Sequence, residues 1–154
     1  MKISVIIPTL NQGSYLATCL KSVVSQDYPE KEILVYDAGS IDQTKEVLES
    51  YDQEIAYWES LPDRGQSHAI NKGLAKMSGD VWCYLNSDDY LAPGALEVVA
   101  KVFKDKEIMW LSGGTRVVKE DKKLGEMIPE PPRTNRDYLP YWDERRNQHR
   151  FYGC

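Results

Sequence analysis

Short apolar runs that alternate with stretches of helical spacing restrict this chain to few folds. Ile3 to Ile7, Ile33 to Tyr36, Ile55 to Trp58, the run that starts at Val81 and ends in Asp88-Asp89, and Ile108 to Leu111 each read as a strand. Between them, apolar residues return every three or four positions. Tyr15, Leu16, Cys19, Leu20, Val23 and Val24 form one such set, and Val47, Leu48 and Tyr51 form a second, in a helix from about Asp42 to Tyr51. Ala69, Ile70, Gly73, Leu74 and Met77 form a third, closed by Ser78-Gly79 as a C-cap, and Leu96, Val98, Val99, Val102 and Phe103 a fourth, opened by Pro93-Gly94. A strand followed by a helix and another strand returns the chain parallel to itself. The pattern therefore predicts an α/β fold: a mostly parallel sheet with helices on both faces.

From about Gly113 the character changes. Thr115 to Lys119 and Leu124 to Ile128, separated by Glu120-Asp121-Lys122-Lys123, read as a β-hairpin. Beyond Pro129, Pro131 and Pro132 the residues show no clear period, and the expectation is an irregular tail from a chain cut short. At 154 residues the length suits one domain with a real core.

Composition removes some functions. A net charge of -5 and a pI near 5.1 argue against nucleic acid as a partner. The late arginines Arg133, Arg136, Arg145, Arg146 and Arg150 are interleaved with acids, which suits a solvated tail or a face touching anionic lipid or substrate. Cys19, Cys83 and Cys154 have no metal-ligand spacing, and His68 and His149 belong to no ligand pair, so zinc is not expected. Without a signal peptide or an apolar run long enough to span a bilayer, the expected location is cytoplasmic, including the cytoplasmic face of the membrane.

The ends of the strands carry the chemistry. In a parallel sheet they share one edge, where open α/β sheets bind ligands. That edge would gather Pro8-Thr9-Leu10-Asn11, Asp37-Ala38-Gly39-Ser40, Asp63-Arg64-Gly65 and Asn86-Ser87-Asp88-Asp89. Two adjacent carboxylates repel each other unless a cation or donors neutralise them, so Asp88-Asp89 fits a metal shared with a phosphate. It fits an acidic surface loop or a helix cap as well. Asp37 before Gly39-Ser40 is also a capping turn, Arg64 beside Asp63 is also a surface ion pair, and Gly73 suits close helix packing. Neither a Gly-x-x-x-x-Gly-Lys-Ser/Thr loop nor a Gly-x-Gly-x-x-Gly follows the first strand, so kinase-type and dinucleotide readings lose support.

Four segments in order, Ser4 to Asn11, Asp37 to Thr44, Gly65 to Gly73 and Asn86 to Asp89, resemble the nucleotide-sugar half of the family 2 glycosyltransferases, which have the GT-A fold. The resemblance covers roughly residues 3 to 115. It implies transfer of a sugar, with inversion, from a nucleoside-diphosphate donor such as a UDP-sugar, assisted by Mg²⁺ or Mn²⁺. By the same resemblance Pro8, Thr9 and Asn11 lie beside the nucleoside, Asp37 hydrogen-bonds the base, Arg64 is near the donor, and Asp88 is the metal ligand. Asn86, Ser87 and Asp89 complete the donor-binding set. Asn86 and Ala38 stand where many members carry aspartate, which leaves the donor's identity open.

The implied division is a donor-binding GT-A domain over residues 1–128, with 129–154 leading to a missing or reduced acceptor half. The acceptor is an unidentified saccharide, lipid-linked or other group. The general base is expected beyond Cys154, with Asp137, Asp143 and Glu144 the only acids in the corresponding part of this chain. A nucleotide-sugar-binding module without catalysis is the alternative. A nucleotidyltransferase ranks lower, because Asn11-Gln12-Gly13-Ser14 has no basic residue. Tyr138, Tyr141, Trp142, Phe151 and Tyr152 could form a homodimer patch, an acceptor platform or the core of a missing half.

Overall fold

A computed structural model describes residues 1–113, together with the backbone of 118–119, 122–123, 133–134 and 150–153. The elements run β1 (Ile3–Thr9), α1 (Gly13–Val24), β2 (Lys31–Asp37), α2 (Thr44–Ser50), β3 (Tyr57–Ser60), α3 (Gln66–Lys76), β4 (Val81–Tyr84), α4 (Ala95–Val102), β5 (Trp110–Ser112), β6 (Val118–Lys119), β7 (Lys122–Lys123), β8 (Arg133–Thr134) and β9 (Arg150–Gly153). The main sheet has the order β3-β2-β1-β4-β9-β5-β8, parallel except for the antiparallel pair of β5 and β8. The expected α/β architecture is present.

Strand parity sorts the core. Ile3, Val5 and Ile7 of β1 and Ile33 and Val35 of β2 pack with Leu16, Cys19, Leu20 and Val23 of α1, Leu48 of α2, and Leu96 and Val99 of α4. Their neighbours Ile6, Leu34 and Tyr36 point the other way and meet Ala69 and Leu74 of α3. Alternate residues of a strand face opposite sides, so one apolar run serves two helical layers. Each such aliphatic side chain contributes about 1.5–3 kcal/mol by leaving water.

Two contacts set the position of α3. Gly73 sits so close to β1 that a Cβ there would lie 2.5 Å from Ile6 Cγ2, which accounts for glycine inside the helix. Lys72 pairs with Glu59 of β3 at 2.5 Å and lies over the Tyr36 ring, and Lys76 lies 3.8 Å from the Tyr57 ring centre. Burial, with Tyr57 and Glu59 nearby, pushes the Tyr36 phenol up to about 12.

At the opposite end of the strands, Glu32 is buried and fully engaged. It accepts from Ser4 Oγ at 2.5 Å, from Ser78 N and Oγ at 2.6 and 2.8 Å, and pairs with Lys2 Nζ at 2.7 Å. Burial alone would raise this carboxyl, but the bonds from Lys2, Ser4 and Ser78 bring it down to about 2. The bridge joins β1, β2 and the turn after α3.

Three expectations shift. The third strand lies at Tyr57–Ser60, two residues later than the apolar run, because Ile55 is buried from the turn that follows α2, its N–H bonded to Tyr51 O. The hairpin is tighter than expected, with Val118 opposite Lys123 and Lys119 opposite Lys122, so part of the charged turn is strand; Leu124 to Ile128 lie outside the described residues. The tail is not irregular throughout. Arg150–Gly153 enters the main sheet between β4 and β5, parallel to both, and therefore shares the sheet of the first 128 residues. Among the described residues, no helix is long and apolar enough to cross a membrane.

Candidate functional site

The C-terminal ends of β1, β2 and β3 are tied together by their own loops. Asn11 adopts φ 52, a left-handed conformation that asparagine tolerates better than most residues. Its N–H donates to Ser40 Oγ at 2.7 Å, and its Oδ1 accepts from Ile41 N at 3.0 Å. Asp37 is fully buried and accepts from Ser40 N, from Ser40 Oγ at 2.5 Å and from Ser60 Oγ at 2.6 Å. With donors on both oxygens, Asp37 holds the β2 and β3 ends in one frame. Asp42 does the same one loop on. It accepts from Gly13 N and from Thr44 N and Oγ1, joining the first turns of α1 and α2, and the Thr44 hydroxyl leads the bonds that hold its carboxyl below the usual range.

Past β4 the chain keeps its pairing for one more residue, Leu85 N to Ile6 O at 2.9 Å, then turns through Asn86 to Asp89. The turn closes by Asp89 N to Asn86 O at 3.0 Å, and Cys19 Sγ supports it from below, 3.5 Å from Asn86 O. Gln66 Nε2 donates to Asn86 Oδ1 at 2.6 Å, and Asn86 Nδ2 donates to Asp89 Oδ2 at 3.2 Å.

These loops enclose a cleft of about 590 Å³. Among the described residues, three buried polar atoms without a protein partner belong to residues that line it: Thr9 Oγ1, Gln12 Oε1 and Asp63 Oδ2. Buried polar groups are normally satisfied, so three such atoms around one space mark a place for a polar ligand or water. Asp88 lines the same cleft with an exposed carboxylate. A larger hollow of about 1000 Å³, bordered by Met1, Tyr28, Gly79 and Lys101, lies at the other end of the strands, away from these loops.

Of the residues expected at the site, Pro8, Thr9, Asn86, Ser87 and Asp88 line the cleft. Asn11 and Asp37 do not; they brace its wall from behind. Asp89, which accepts from Asn86 Nδ2, and Arg64 are exposed and outside the lining set. No Asp63–Arg64 ion pair forms among the described residues; Asp63 Oδ1 instead accepts from Gly65 N at 2.7 Å. Gln12 and Gln66 are cleft residues that the strand-end reading passed over, while Asp63 lay in one of its four segments without a role at the site. The unpartnered oxygens of Gln12 and Asp63 become visible only once the loops are placed.

The donor set suits a hard divalent cation only in company. Asp88 offers one carboxylate to the cleft, and no group of three His, Cys, Asp or Glu side chains that could hold a metal occurs among the described residues. Phosphate oxygens and water would have to complete the shell, the way Mg²⁺ is commonly bound with nucleotides.

The sequence model of glycosyl transferase family 2 matches residues 4–153. The chain belongs to glycosyl transferase family 2. Its family 2 relatives include an uncharacterized glycosyltransferase of Nostoc sp., 30% identical over 142 residues that cover 89% of this chain and 44% of that protein. Another is the GalNAc(5)-diNAcBac-PP-undecaprenol beta-1,3-glucosyltransferase of Campylobacter jejuni, 36% identical over 102 residues, which are 64% of this chain and 33% of that enzyme. The chain thus spans less than half the length of these relatives. Among solved structures, S. aureus TarS 1-349 in complex with UDP-GlcNAc superposes with a TM-score of 0.69 at 27% identity, covering 82% of this chain and 37% of that one. The sheet and its flanking helices are those of a GT-A family 2 domain.

Proposed function

We propose that this chain binds a nucleoside-diphosphate sugar, a UDP-sugar, and supplies the donor half of a metal-assisted, inverting glycosyltransferase acting on a saccharide or lipid-linked acceptor. The observation that carries the reading is that Thr9, Gln12 and Asp63, each with a buried side-chain oxygen unpartnered among the described residues, line the cleft that Asp88 also lines. An acceptor-rich lining asks for a ligand with N–H and O–H groups, which a base and a ribose provide. UDP-GlcNAc bound to TarS adds support.

Asp88 would hold Mg²⁺ or Mn²⁺. When bound, such an ion offsets the negative charge that develops on a departing diphosphate. The residues of the chain do the rest. Thr9, Gln12 and Asp63 orient the nucleoside, while Asp37, Asn11 and Ser40 keep the wall rigid, so that little reorganisation is needed at the moment of transfer. Asp137, Asp143 and Glu144 lie outside the described residues, and the general base is assigned to the acceptor half.

A thermal-shift screen of UDP-, GDP- and dTDP-sugars with and without Mn²⁺ tests the reading. A ligand present at a hundred times its Kd should add about 2.7 kcal/mol of stability. The expected result is a shift with one nucleotide class that grows with Mn²⁺; no shift with any of them contradicts the proposal. Donor binding without sugar transfer or donor hydrolysis would instead favour a binding module.

A further inference from the structure

Gln66, the first residue of α3, lies outside the strand-end motifs yet touches their most informative part. Its carboxamide donates to Asn86, and Asn86 donates to Asp89. An ionised carboxylate can only accept hydrogen bonds. Asp89 therefore forces Asn86 to present its nitrogen to that carboxylate, which leaves the Asn86 oxygen toward Gln66 and forces Gln66 to present nitrogen in turn. Each amide nitrogen carries two hydrogens and spends one in this relay. One N–H on Gln66 and one on Asn86 remain without a protein partner among the described residues, and both residues line the cleft.

Resting on the donor reading above, we propose that Gln66 and Asn86 work as one unit, oriented by Asp89, that gives its two remaining N–H groups to the phosphate oxygens of a nucleoside diphosphate. Asp89 is the positioning residue, because it fixes the Asn86 amide and through it that of Gln66. Two neutral amide donors on a preset relay meet phosphate oxygens without adding a charge to the turn that already carries Asp88 and Asp89.

The test is calorimetric titration of UDP with Mn²⁺, and NMR titration of uridine, into wild type, Gln66→Met, Asn86→Ala, the double variant and Asp89→Ala. Gln66→Met should weaken UDP about tenfold and leave uridine unchanged, since the nucleoside has no phosphate to lose. The double variant should be no weaker than the poorer single one, because the pair acts as a unit. Asp89→Ala should weaken UDP at least threefold although Asp89 does not line the cleft. Equal losses for uridine and UDP mean general damage to the site and overturn the assignment. Wild-type UDP affinity in Gln66→Met overturns it alone and leaves the donor reading standing. If wild type binds no UDP with Mn²⁺, the donor reading falls and takes this assignment with it.

Discussion

Glu32→Gln is expected to destabilise the fold by about 2 kcal/mol at neutral pH, and to do so less and less as the solution is acidified. In the native protein this carboxylate is 8% exposed and collects bonds from Lys2, Ser4 and Ser78. Burial opposes its ionisation, but those bonds win and lower it from 4.5 to about 2. At about 1.4 kcal/mol for a tenfold change in proton affinity, the difference corresponds to about 3 kcal/mol. Lys2 is 37% exposed, so solvent screening reduces the figure, to about 2 kcal/mol. The sign follows from the lowered folded-state value. The contribution is complete above the unfolded value near 4.5, fades as pH falls toward 2, and at pH 3 retains roughly 40%. Urea denaturation of wild type and variant at pH 7 and pH 3 reads the gap directly, and at pH 7 the melting temperature should drop by roughly 4–8 °C. A gap of the same size at both pH values, or none at pH 7, refutes the claim that the ionised form holds β1, β2 and the Ser78 turn together.

Gly73→Ala gains about 1 kcal/mol of helix preference but places a methyl 2.5 Å from Ile6 Cγ2. Overpacking of about 1–3 kcal/mol should win, seen as a lower denaturation midpoint with an unchanged slope. Asn11→Ala should cost more stability than Asn11→Gly, since both lose the bond from Ile41 N but only alanine must strain, by about 1–2 kcal/mol, to keep φ 52. Calorimetric melts of the two variants decide the order.

The fold was legible where local pattern and tertiary demand agreed. Val5, Ile6 and Ile7 form a continuous apolar run because both faces of β1 are covered, and Leu16, Cys19, Leu20 and Val23 keep a strict helical period because one face of α1 is. Ile55 misled for the opposite reason: an apolar side chain can be buried from a turn, while Glu59 and Ser60 of β3 form strand without an apolar run. β9 was not legible at all. Its pairing of Phe151 with Trp82 and Trp110 is purely long-range, and four residues carry no period. At the site, residue type alone did not separate side chains that line the cleft, such as Thr9 and Asp88, from those that tie its loops together, such as Asp37. Asp37 was readable both as a capping turn and as a ligand contact, and Ser40 and Ser60 occupy both its oxygens. Asp63 read as half of an ion pair and instead leaves an oxygen unpartnered at the cleft.

Titration calorimetry of UDP into wild type and Asp88→Ala, each with and without Mn²⁺, tests the central claim most directly. Asp88 is an exposed carboxylate lining the cleft, so its loss should leave the fold intact. Wild type should bind UDP at least tenfold tighter with Mn²⁺ than without, and Asp88→Ala should bind with the weaker, metal-independent affinity in both conditions. An Asp88→Ala variant that keeps the full Mn²⁺ enhancement would contradict the assignment of this cleft as a metal-assisted donor site.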